Sequence, residues 1–538
     1  MKNNMLKRVP KVFLAALSGV ALFISCTDLE IEPTDSQFID ANDSAFQGVT
    51  DPESFVDNIY NQLNGLIGNQ ADLFALEEVT TDAALIPTRG ADWGDNGIWR
   101  QLHQHDWRAD HNYILAVWNQ WNNVHFQAAQ VLSDLTQADA SIKANASFLR
   151  ALGVWVILDN YGQVPIRDVE DTPFVDPAVI TGEEAVNLIV ADLNDAIAGL
   201  ATEGPGQGND RPNKAAARYL LAKVLLNKHI YLGTSPASAD MDQVVSLVDQ
   251  IAADGYGLVD GYFDIFREDL DNETIWFVPT SVGNRIWNGL HYNQAPVIAG
   301  GGWNGFSTLA EYYDLFEGDP NINTPGSGQE ERRGFVPTVG VPAGSFEGST
   351  DNNDDGFADG SGVGFGFLIG QQYAADGTPL NDRGGNPLTF KRQFVDGQGN
   401  SSLINNSETT GIRVMKYNPR YGGFTSHEIF FRYADAHLMK AEAILRGGGD
   451  ATALVNELRV LRDASPLGSV SEQDLLDERG RELYAEFWRR NDMVRFGQFT
   501  RDWELKAPAE VGNPARNLFP IPASQVLLNP NLVQNPGY

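Results

Sequence analysis

The segment FRYADAHLMKAEAILRGGGDATALVNELRVLRDA, residues 431–464, has the pattern of two helices joined by a turn. Small residues recur seven apart in its first half, as Ala434 and Ala441 and as Ala436 and Ala443. Residues at this spacing share one face of a helix, where small side chains allow a neighbouring helix to approach closely. Three glycines end the first helix, and the second has an apolar face of Leu454, Leu458 and Leu461. Such pairs are typical of tetratricopeptide-like stacking, but the strict repeat consensus is absent, so we expect irregular pairs.

Helical periodicity also fills the N-terminal half of the chain. The segments that carry it are residues 51–67, 110–135, 145–162, 182–200 and 213–232. Most are 17 to 20 residues long and are separated by connectors rich in proline and glycine. Helices of similar length joined by turns pack as antiparallel pairs. The sequence therefore predicts a mainly α protein with helical repeats over about 45–260 and 426–500.

The region from about 260 to 425 has a different character. It is rich in Gly, Asn, Asp and aromatic residues, with few long helical periods, and TIWFVPT (274–280) and GIRVMKY (411–417) have the pattern of short strands. A loop-rich stretch of this length in a helical protein more often carries function than connects elements. We therefore expect a variable ligand region here.

One further helix is predicted after this repeat. Ser471 and Asp474 have the spacing of a capping box, and residues 475–499 continue as a helix. Asp477 and Arg481, and Glu486 and Arg490, lie four apart in the order that favours salt bridges along a helix surface. We expect these charges to solvate the helix or to brace it.

The N-terminus has the order of a secretory signal: basic residues, an apolar run over 12–24, then Ser25 and Cys26. The apolar run is short for a membrane span, which needs about 20 residues. Leu22, Ile24, Ser25 and Cys26 look like the lipobox of bacterial lipoproteins. We therefore predict a signal peptide over 1–25, an acylated Cys26 that begins a tether over 26–44, and a single domain over 45–538. Several acyl chains would anchor the protein to a membrane stably.

Composition limits the classes of partner. The formal net charge is −33, and cleavage of the basic signal segment would make it more negative. Such a chain repels nucleic acid and anionic lipid head groups but tolerates a neutral ligand. Hydrophobic residues make up 42% of the chain, so global disorder is excluded. The single cysteine rules out an intramolecular disulfide.

Six features, in order along nearly the whole chain, resemble the SusD-like (RagB/SusD) nutrient-binding lipoproteins of Gram-negative outer membranes. They are Cys26 and residues 148–166, 213–226, 430–459, 478–499 and 518–538. The C-terminal half is especially similar to the starch-binding founding member of that family. The last segment, LFPIPASQVLLNPNLVQNPGY, is informative because a tail rich in Asn and Pro without periodicity has no generic structural reason to exist.

The resemblance implies a scaffold of tetratricopeptide-like helix pairs plus a variable region. It also implies a location on the outside of the outer membrane, anchored by lipid, with the protein sitting as a lid on a SusC-like TonB-dependent transporter. Members of the family bind glycans and catalyse no reaction, so no cofactor is required. The large helical face would serve the transporter, and the loops would serve the sugar.

The segment at 80–107 supplies the first set of candidate glycan-binding residues. Sugars offer flat apolar faces edged by hydroxyl groups, so their sites need exposed rings and directional polar groups. This glycine-punctuated segment contains both kinds of residue, in Asp82, Arg89, Trp93, Asn96 and Trp99. The competing interpretation is that the two tryptophans fill gaps in the core.

A second set lies at 284–306, where Tyr292, Trp303 and Asn304 stand among glycines. In starch-binding relatives an aromatic residue shortly before the following helix takes part in the site, and Trp303 is our choice for that role. The helix would be STLAEYYDLF, beginning at Ser307.

Two stretches of the sequence contain residues that could bind a metal ion. Asp351, Asn353, Asp355 and Asp359 have the spacing of a calcium loop, with Gly356 at the turn. Gly362 stands where a bidentate Glu is expected, so an EF-hand is excluded, and the choice lies between a structural calcium ion and an acidic surface turn. His103, His105 and His111 lack a matching cysteine or carboxylate, which favours ordinary polar residues over a zinc site.

We conclude from the sequence that this is a lipid-anchored, non-enzymatic protein that captures a neutral glucan, with α-glucan favoured over β-1,3-glucan. Two other classes stay open. One is a surface glycoside hydrolase using two loop carboxylates, which 71 acidic residues neither support nor exclude. The other is a lipoprotein that binds peptides or acts as a protein scaffold.

Overall fold

The computed structural model describes residues 46–172, 174–294, 301–320, 328–336, 363–374, 377–419 and 423–538. The α-helices in these ranges are α1 Pro52–Gly68, α2 Asp72–Phe74, α3 Ile98–Gln104, α4 Asn112–Leu132, α5 Ala140–Tyr161, α6 Gly182–Gly199, α7 Lys214–Leu232, α8 Ser238–Ala253, α9 Gly283–Gly289, α10 Ala310–Tyr313, α11 Gly423–Ser426, α12 Tyr433–Arg446, α13 Thr452–Leu461, α14 Glu472–Leu483, α15 Arg489–Arg495 and α16 Ala523–Leu528. A π-helical turn, Ala75–Val79, continues α2.

The strands are short and all pairs are antiparallel. They are β1 Gln163–Ile166, β2 Ala178–Thr181, β3 Thr274–Val278, β4 Gly334–Phe335, β5 Phe365–Leu368, β6 Gly370–Gln371, β7 Thr389–Phe390, β8 Arg413–Met415 and β9 Glu428–Arg432. They form the sheets β1–β2, β3–β9, β4–β5–β8 and β6–β7. The predicted mainly α architecture of helix pairs with short strands in a loop-rich insertion is confirmed.

Consecutive helices pack side by side from α4 through α8, and α12 packs against α8. The sequence sets their ends: Asp139 and Asn213 accept backbone N–H groups at the starts of α5 and α7, and Gly162 and Gly233 end these helices with positive φ. Small residues set the spacing, because a Cβ on Gly199 of α6 would lie 2.6 Å from Cβ of Ala144 on α5. The periodic segments therefore become closely packed helix pairs.

The alanine faces of the opening segment are buried as expected. Ala434 and Ala441 of α12 pack with Val455 and Leu458 of α13 and Leu475 of α14 in a small core. The opposite alanines join the main core, which extends from α1 to the C-terminal segment. Both faces of α12 are thus covered, as the two sets of alanines predict.

Helix α5 is the one helix in the described ranges that is long and apolar enough to cross a membrane. Most of it is buried inside the protein, between α4 and α6. Its apolar surface is therefore accounted for by packing within the helical layer.

Two helix predictions were wrong. The segment 475–499 is not one helix: α14 ends at Leu483 and α15 begins at Arg489, with φ of 58° at Ala485 and 73° at Phe487 in the break. Ser307 does not begin a helix either. It pairs as an isolated bridge with Leu85, and the helix α10 is only four residues long. The strand predictions at 274–280 and 411–417 are confirmed by β3 and β8.

The charges of α14 were also misassigned. The predicted capping box at Ser471 and Asp474 is present, but Arg481 pairs with Glu478 at 2.6 Å, and Arg490 pairs with Asp159 at 3.0 Å. Arg481, Glu486 and Arg490 are buried, whereas Asp477 is half-buried. Period and charge spacing alone give no warning of this burial.

Glu482 of α14 lies at the centre of this interior cluster. We call Glu482 and the arginines that bond to it the ion network. Glu482 accepts hydrogen bonds from Arg432 at 2.7 Å, Arg462 at 3.1 Å and Arg332 at 3.2 Å, and all four side chains are buried. One turn earlier, Glu478 pairs with Arg332 at 2.7 Å. The network joins α14 to β9, to the end of α13 and to the loop before β4.

The network keeps its carboxylates ionised. Burial alone would raise the pKa of Glu478, but Arg332, Arg481 and Arg459 outweigh it and lower the pKa to about 2. The same balance lowers the pKa of Glu482. The stability that these groups contribute is therefore present above the pKa of an unfolded glutamate, about 4.3, and is lost as the pH falls toward 2.

We expect Glu482→Gln to lower the free energy of unfolding by about 3 to 5 kcal/mol, because it leaves buried arginines without their common partner. Denaturant unfolding followed by circular dichroism measures this change. The matched control is Glu457→Gln on the neighbouring α13, whose side chain is 60% exposed, with an expected change within about 0.5 kcal/mol. Equal unfolding midpoints for the two variants would contradict the role of the network.

Candidate functional site

A strained loop between the π-helical turn and α3 presents Trp93. The backbone has positive φ at Trp93 (59°), Asp95 (36°) and Asn96 (52°), a region that non-glycine residues rarely adopt. Such conformations persist only where the surroundings hold them, and they cluster at functional sites. Here the backbone groups of Arg89 and Asp92 bond to each other at 3.0 Å in both directions and close the base of the loop.

The buried side chain of Arg89 fixes this loop to the loop-rich region. Its Nε donates to the Asn304 carbonyl oxygen at 2.9 Å, and Nη2 donates to Ser307 Oγ at 2.8 Å. Nη1 donates to the Ser407 carbonyl oxygen at 2.9 Å. Because these acceptors are neutral, burial lowers the pKa of Arg89 to about 9. Arg89 therefore holds three segments together that are distant in sequence.

The second loop, residues 301–305, folds back on the end of α9. The Gly302 N–H donates to the His291 carbonyl at 3.1 Å, and the Asn304 N–H donates to the Leu290 carbonyl at 2.7 Å. A Cβ on Gly302 would lie 2.1 Å from the Leu290 carbonyl oxygen, so only glycine fits there. The approach pushes the intervening Trp303 outward, where 38% of the residue is exposed.

The two loops meet through their tryptophans, which together form what we call the aromatic surface. Trp93 Nε1 donates to the carbonyl oxygen of Trp303 at 2.7 Å. The half-buried Trp93 ring also packs edge-on against Trp99, with centroids 6.0 Å apart. Trp99 in turn packs on Phe306 in the core. An exposed ring therefore stands beside a half-buried one on a rigid support.

A polar cluster borders the aromatic surface at Asp92, the residue before Trp93. Tyr292 donates to Asp92 at 2.5 Å, and Arg383 Nη2 donates to the same carboxylate oxygen at 3.0 Å. Arg383 also pairs through Nε with Glu408, and its guanidinium stacks on the Tyr292 ring 3.8 Å from the centroid. His291 lies 3.1 Å from Glu408 through Nε2. We call these five side chains the polar cluster.

Both carboxylates of the polar cluster are held ionised. The hydrogen bond from Tyr292 lowers the pKa of Asp92, partial burial opposes this effect, and Arg383 reinforces it. Burial alone would raise the pKa of Glu408, but hydrogen bonds from Arg383 and His291 lower it. A carboxylic acid that donates a proton near neutral pH needs the opposite shift.

The predicted site residues fall into two groups. Trp93, Asn96, Tyr292 and Trp303 are exposed or half-buried and lie on or beside the two loops. Asp82, Arg89, Trp99 and Asn304 are no more than 3% exposed. Burial therefore corrects the expectation that these last four contact a ligand directly. Glycan contact by the first four stays a prediction.

Each buried member of the second group has a partner in the interior. Asp82 pairs with Arg489 and with Arg501, each at 2.7 Å. Trp99 Nε1 donates to Asp95 at 3.0 Å from within α3, which makes it a helix residue packed on the core rather than a loop residue. Asn304 Oδ1 accepts from Arg413 at 2.7 Å. These side chains support the loops.

Arg383 and Glu408 were missed by the sequence prediction. They come from loops 25 residues apart, and neither lies near Trp93 or Tyr292 along the chain. Arginine and glutamate are common surface residues, so the sequence carries no signal that this pair meets Tyr292.

The three histidines considered as zinc ligands are each engaged in a bond to the backbone. His103, His105 and His111 each direct Nε2 to a backbone carbonyl oxygen, of Glu504, Thr80 and Ile98 respectively. Within the described part of the chain, no group of three or more His, Cys, Asp or Glu side chains could hold a metal ion. The candidate calcium loop 351–359 and the lipidation site Cys26 lie outside the described residues.

Comparison with known proteins defines the class. A model described as "SusD family" matches residues 272–538, and one described as "Starch-binding associating with outer membrane" matches residues 37–226. The starch-binding protein SusD of Bacteroides thetaiotaomicron is 28% identical, with all of both chains covered. SusD-like protein P25 of Formosa agariphila is 23% identical, covering 78% of this chain and 79% of its own.

Solved structures share the fold. A laminarin-binding SusD-like protein has a TM-score of 0.62 at 20% identity, covering 92% of this chain and all of its own. Surface glycan-binding protein A of B. thetaiotaomicron, solved with laminarihexaose, has a TM-score of 0.63 at 14% identity, covering 90% of this chain and 98% of its own. The fold and the paired family matches define an outer-membrane-associated class of helical proteins. The chain belongs to the SusD family, as the sequence resemblance predicted.

We expect Gly305→Ala to displace Trp93, because a Cβ there would lie 2.7 Å from Trp93 Cε2 and 1.6 Å from Asn288 Oδ1. In protein labelled with ¹⁵N-tryptophan, the indole N–H signal of Trp93, assigned by its loss in Trp93→Phe, should shift. The control is Gly94→Ala in the same loop, where a Cβ meets nothing within 4 Å. An unmoved Trp93 signal in Gly305→Ala would contradict this packing.

Proposed function

We propose that this protein is a cell-surface glycan-binding lipoprotein that captures a neutral oligosaccharide and delivers it to a SusC-like TonB-dependent transporter. The aromatic surface is the observation that carries the proposal. An exposed indole of Trp303 beside the half-buried Trp93 offers the apolar area on which the flat face of a sugar ring stacks. The polar cluster and the exposed Asn96 supply hydrogen-bonding groups at its border.

The charges of the polar cluster favour a neutral ligand. One guanidinium, that of Arg383, faces two ionised carboxylates, those of Asp92 and Glu408. The cluster has no positive charge left to attract a uronate or a sulfate group, and the whole chain is strongly acidic. Sugar hydroxyl groups, which both donate and accept, match such a surface.

A glucan is the proposed ligand, with α-glucan favoured over β-1,3-glucan. The relative that covers the full chain is named as a starch-binding protein, and starch is an α-glucan. A structural relative is named as laminarin-binding, and laminarin is a β-1,3-glucan. The greater sequence similarity lies with the former.

Binding without catalysis is the second part of the proposal. A glycoside hydrolase needs one carboxylic acid with a raised pKa and a second carboxylate facing it across the scissile bond. Asp92 and Glu408, the two carboxylates of the polar cluster, border the aromatic surface, and the pKa of each is lowered. Because both pair with Arg383, these carboxylates are suited to hold the guanidinium in place and not to donate a proton.

The membrane part of the proposal rests on the N-terminus and on the helical layer. Residues 1–25 would be removed as a signal peptide, Cys26 would carry the acyl chains, and 26–44 would act as a tether. The layer of helices α4 to α8 would face the transporter. No cofactor is required, and calcium at 351–359 stays a prediction about a structural ion.

Calorimetric titration against a polysaccharide panel tests the ligand. We expect binding to a neutral glucan and a loss of at least about ten-fold in affinity for Trp303→Ala, because stacked aromatic area contributes more than 1 kcal/mol. The matched control is Phe174→Ala, which removes a ring that is 72% exposed near the β1–β2 sheet. No binding to any glucan, or equal losses in both variants, would overturn the proposed ligand site.

Incubation of the protein with a glucan that it binds tests the absence of catalysis. We expect no increase in reducing ends over a long incubation, because the pKa of both carboxylates of the polar cluster is lowered, whereas a general acid needs a raised pKa. A buffer blank and a known glucanase bracket the assay. Steady release of sugar that stops in Asp92→Asn or Glu408→Gln would establish the hydrolase instead.

A further inference from the structure

Arg383 lies at the tip of a loop that is rigid by its own bonds. Asn381 and Pro387 pair as an antiparallel bridge, and the Asp382 carboxylate accepts the Asn386 N–H at 2.8 Å within the turn. Asn293, the residue after Tyr292, donates through Nδ2 to the Asn381 carbonyl at 2.7 Å. The loop is therefore attached beside the aromatic surface.

Three contacts fix the Arg383 guanidinium. Nε pairs with Glu408, Nη2 donates to Asp92 at 3.0 Å, and the ring of Tyr292 lies beneath the group at 3.8 Å. The backbone N–H of Arg383 also donates to Glu408 at 3.0 Å. A planar guanidinium held on one edge and one face loses little further freedom when it binds a ligand.

The opposite edge of the guanidinium is open. A guanidinium has five N–H donors, and the contacts with Asp92 and Glu408 use one on Nη2 and the one on Nε. Among the described residues, no hydrogen bond involves Nη1, and the side chain is 50% exposed. By contrast, the nearby Arg89 and Arg413 are buried, and their Nη1 atoms donate to interior oxygens.

We propose that Arg383 is a ligand-binding residue whose Nη1 and Nη2 donate side by side to two adjacent free hydroxyl groups of the glycan. Tyr292 and Glu408 then act as positioning residues for Arg383. The guanidinium covers one face of the Tyr292 ring. On that face Tyr292 therefore supports Arg383 and does not stack on a sugar. The inference rests on the proposed function, because it needs a glycan at the aromatic surface.

The proposal has a consequence for linkage. A 1,4-linked glucan leaves the hydroxyl groups at C2 and C3 of each internal residue free, and they are neighbours. A 1,3-linked glucan uses C3 in the linkage, so its free hydroxyl groups at C2 and C4 are not adjacent. A side-by-side pair of donors therefore selects the 1,4-linked chain.

Titration of the mature protein with maltoheptaose (α-1,4) and laminarihexaose (β-1,3) tests this inference. We expect Arg383→Ala to weaken maltoheptaose binding by at least about ten-fold, because two hydrogen bonds from a charged donor are lost. Any laminarihexaose binding should weaken by less than about three-fold. Arg383→Lys should behave like the alanine variant, because an ammonium group lacks the planar pair of donors.

The matched control is Arg211→Ala. Arg211 also stacks on a tyrosine, with its guanidinium 4.3 Å from the Tyr60 centroid, and pairs with Asp57 at 3.0 Å. It lies away from the aromatic surface, so binding should not change. Thermal unfolding of each variant checks that the fold is intact, and Arg383→Lys provides the test if the alanine variant proves unstable.

The outcomes separate the two proposals. If the wild type binds neither oligosaccharide, the proposed glucan ligand and this inference both fall. If the wild type binds and Trp303→Ala abolishes binding while both Arg383 variants bind within about two-fold of it, only the role of Arg383 is overturned. Equal losses for both oligosaccharides would overturn the linkage argument.

Discussion

Three arginines converge on one glutamate, Glu482 of α14, in the interior of the protein. These arginines come from β9, from the end of α13 and from the loop before β4, so the contact joins the helical layer to the loop-rich region. An ion cluster of this kind contributes little net stability, since desolvation of the charges offsets most of their attraction. It disfavours other packings, because a packing that separated these groups would leave buried charges unpaired. The network therefore ties β9, the end of α13 and the residues before β4 to α14.

Buried arginines of a second kind fix the two loops that carry Trp93 and Trp303. Arg89 and Arg413 bond mainly to neutral oxygens, and both donate to Ser307 Oγ. Burial without carboxylate partners lowers the pKa of both groups. Their donors hold the backbone at Asn304, Ser407 and Glu408. Pre-organised loops present the rings without the cost of ordering them when a sugar binds.

The sequence allowed prediction of those features that depend on local period. The helix pairs, the alanine faces of α12, the capping box of Ser471 and the strands β3 and β8 all follow from spacing and residue type. Trp93 and Trp303 stood out because glycine-rich loops give tryptophan no periodic reason to be there. The break between α14 and α15 did not follow, since the residues from 484 to 488 carry neither glycine nor proline. Tertiary contacts impose the positive φ angles at Ala485 and Phe487.

Features that depend on long-range contact could not be predicted. Asp82 reads as a polar loop residue, yet Arg489 and Arg501, some 400 positions later, enclose it. The residues around Arg383 have the composition of a solvent-exposed turn. Arg383 meets Asp92 only because their two loops converge in the fold. In a chain with 71 acidic residues, the partners of Arg383, Arg489 and Arg501 are set by the fold and not by the nearest charge along the sequence.

The same physics explains why an exposed and a buried arginine can serve one site in different ways. A fully bonded guanidinium such as Arg413 cannot offer a donor to a ligand without losing an interior bond, so it can only support. Arg383 has its inner edge bonded and its outer edge in water, where it can exchange water for sugar hydroxyl groups without losing an interior bond. The apolar rings and this polar edge then both contribute to affinity, and the polar edge also selects orientation and linkage. A surface of this kind binds modestly and releases readily, which the proposed delivery to a transporter requires.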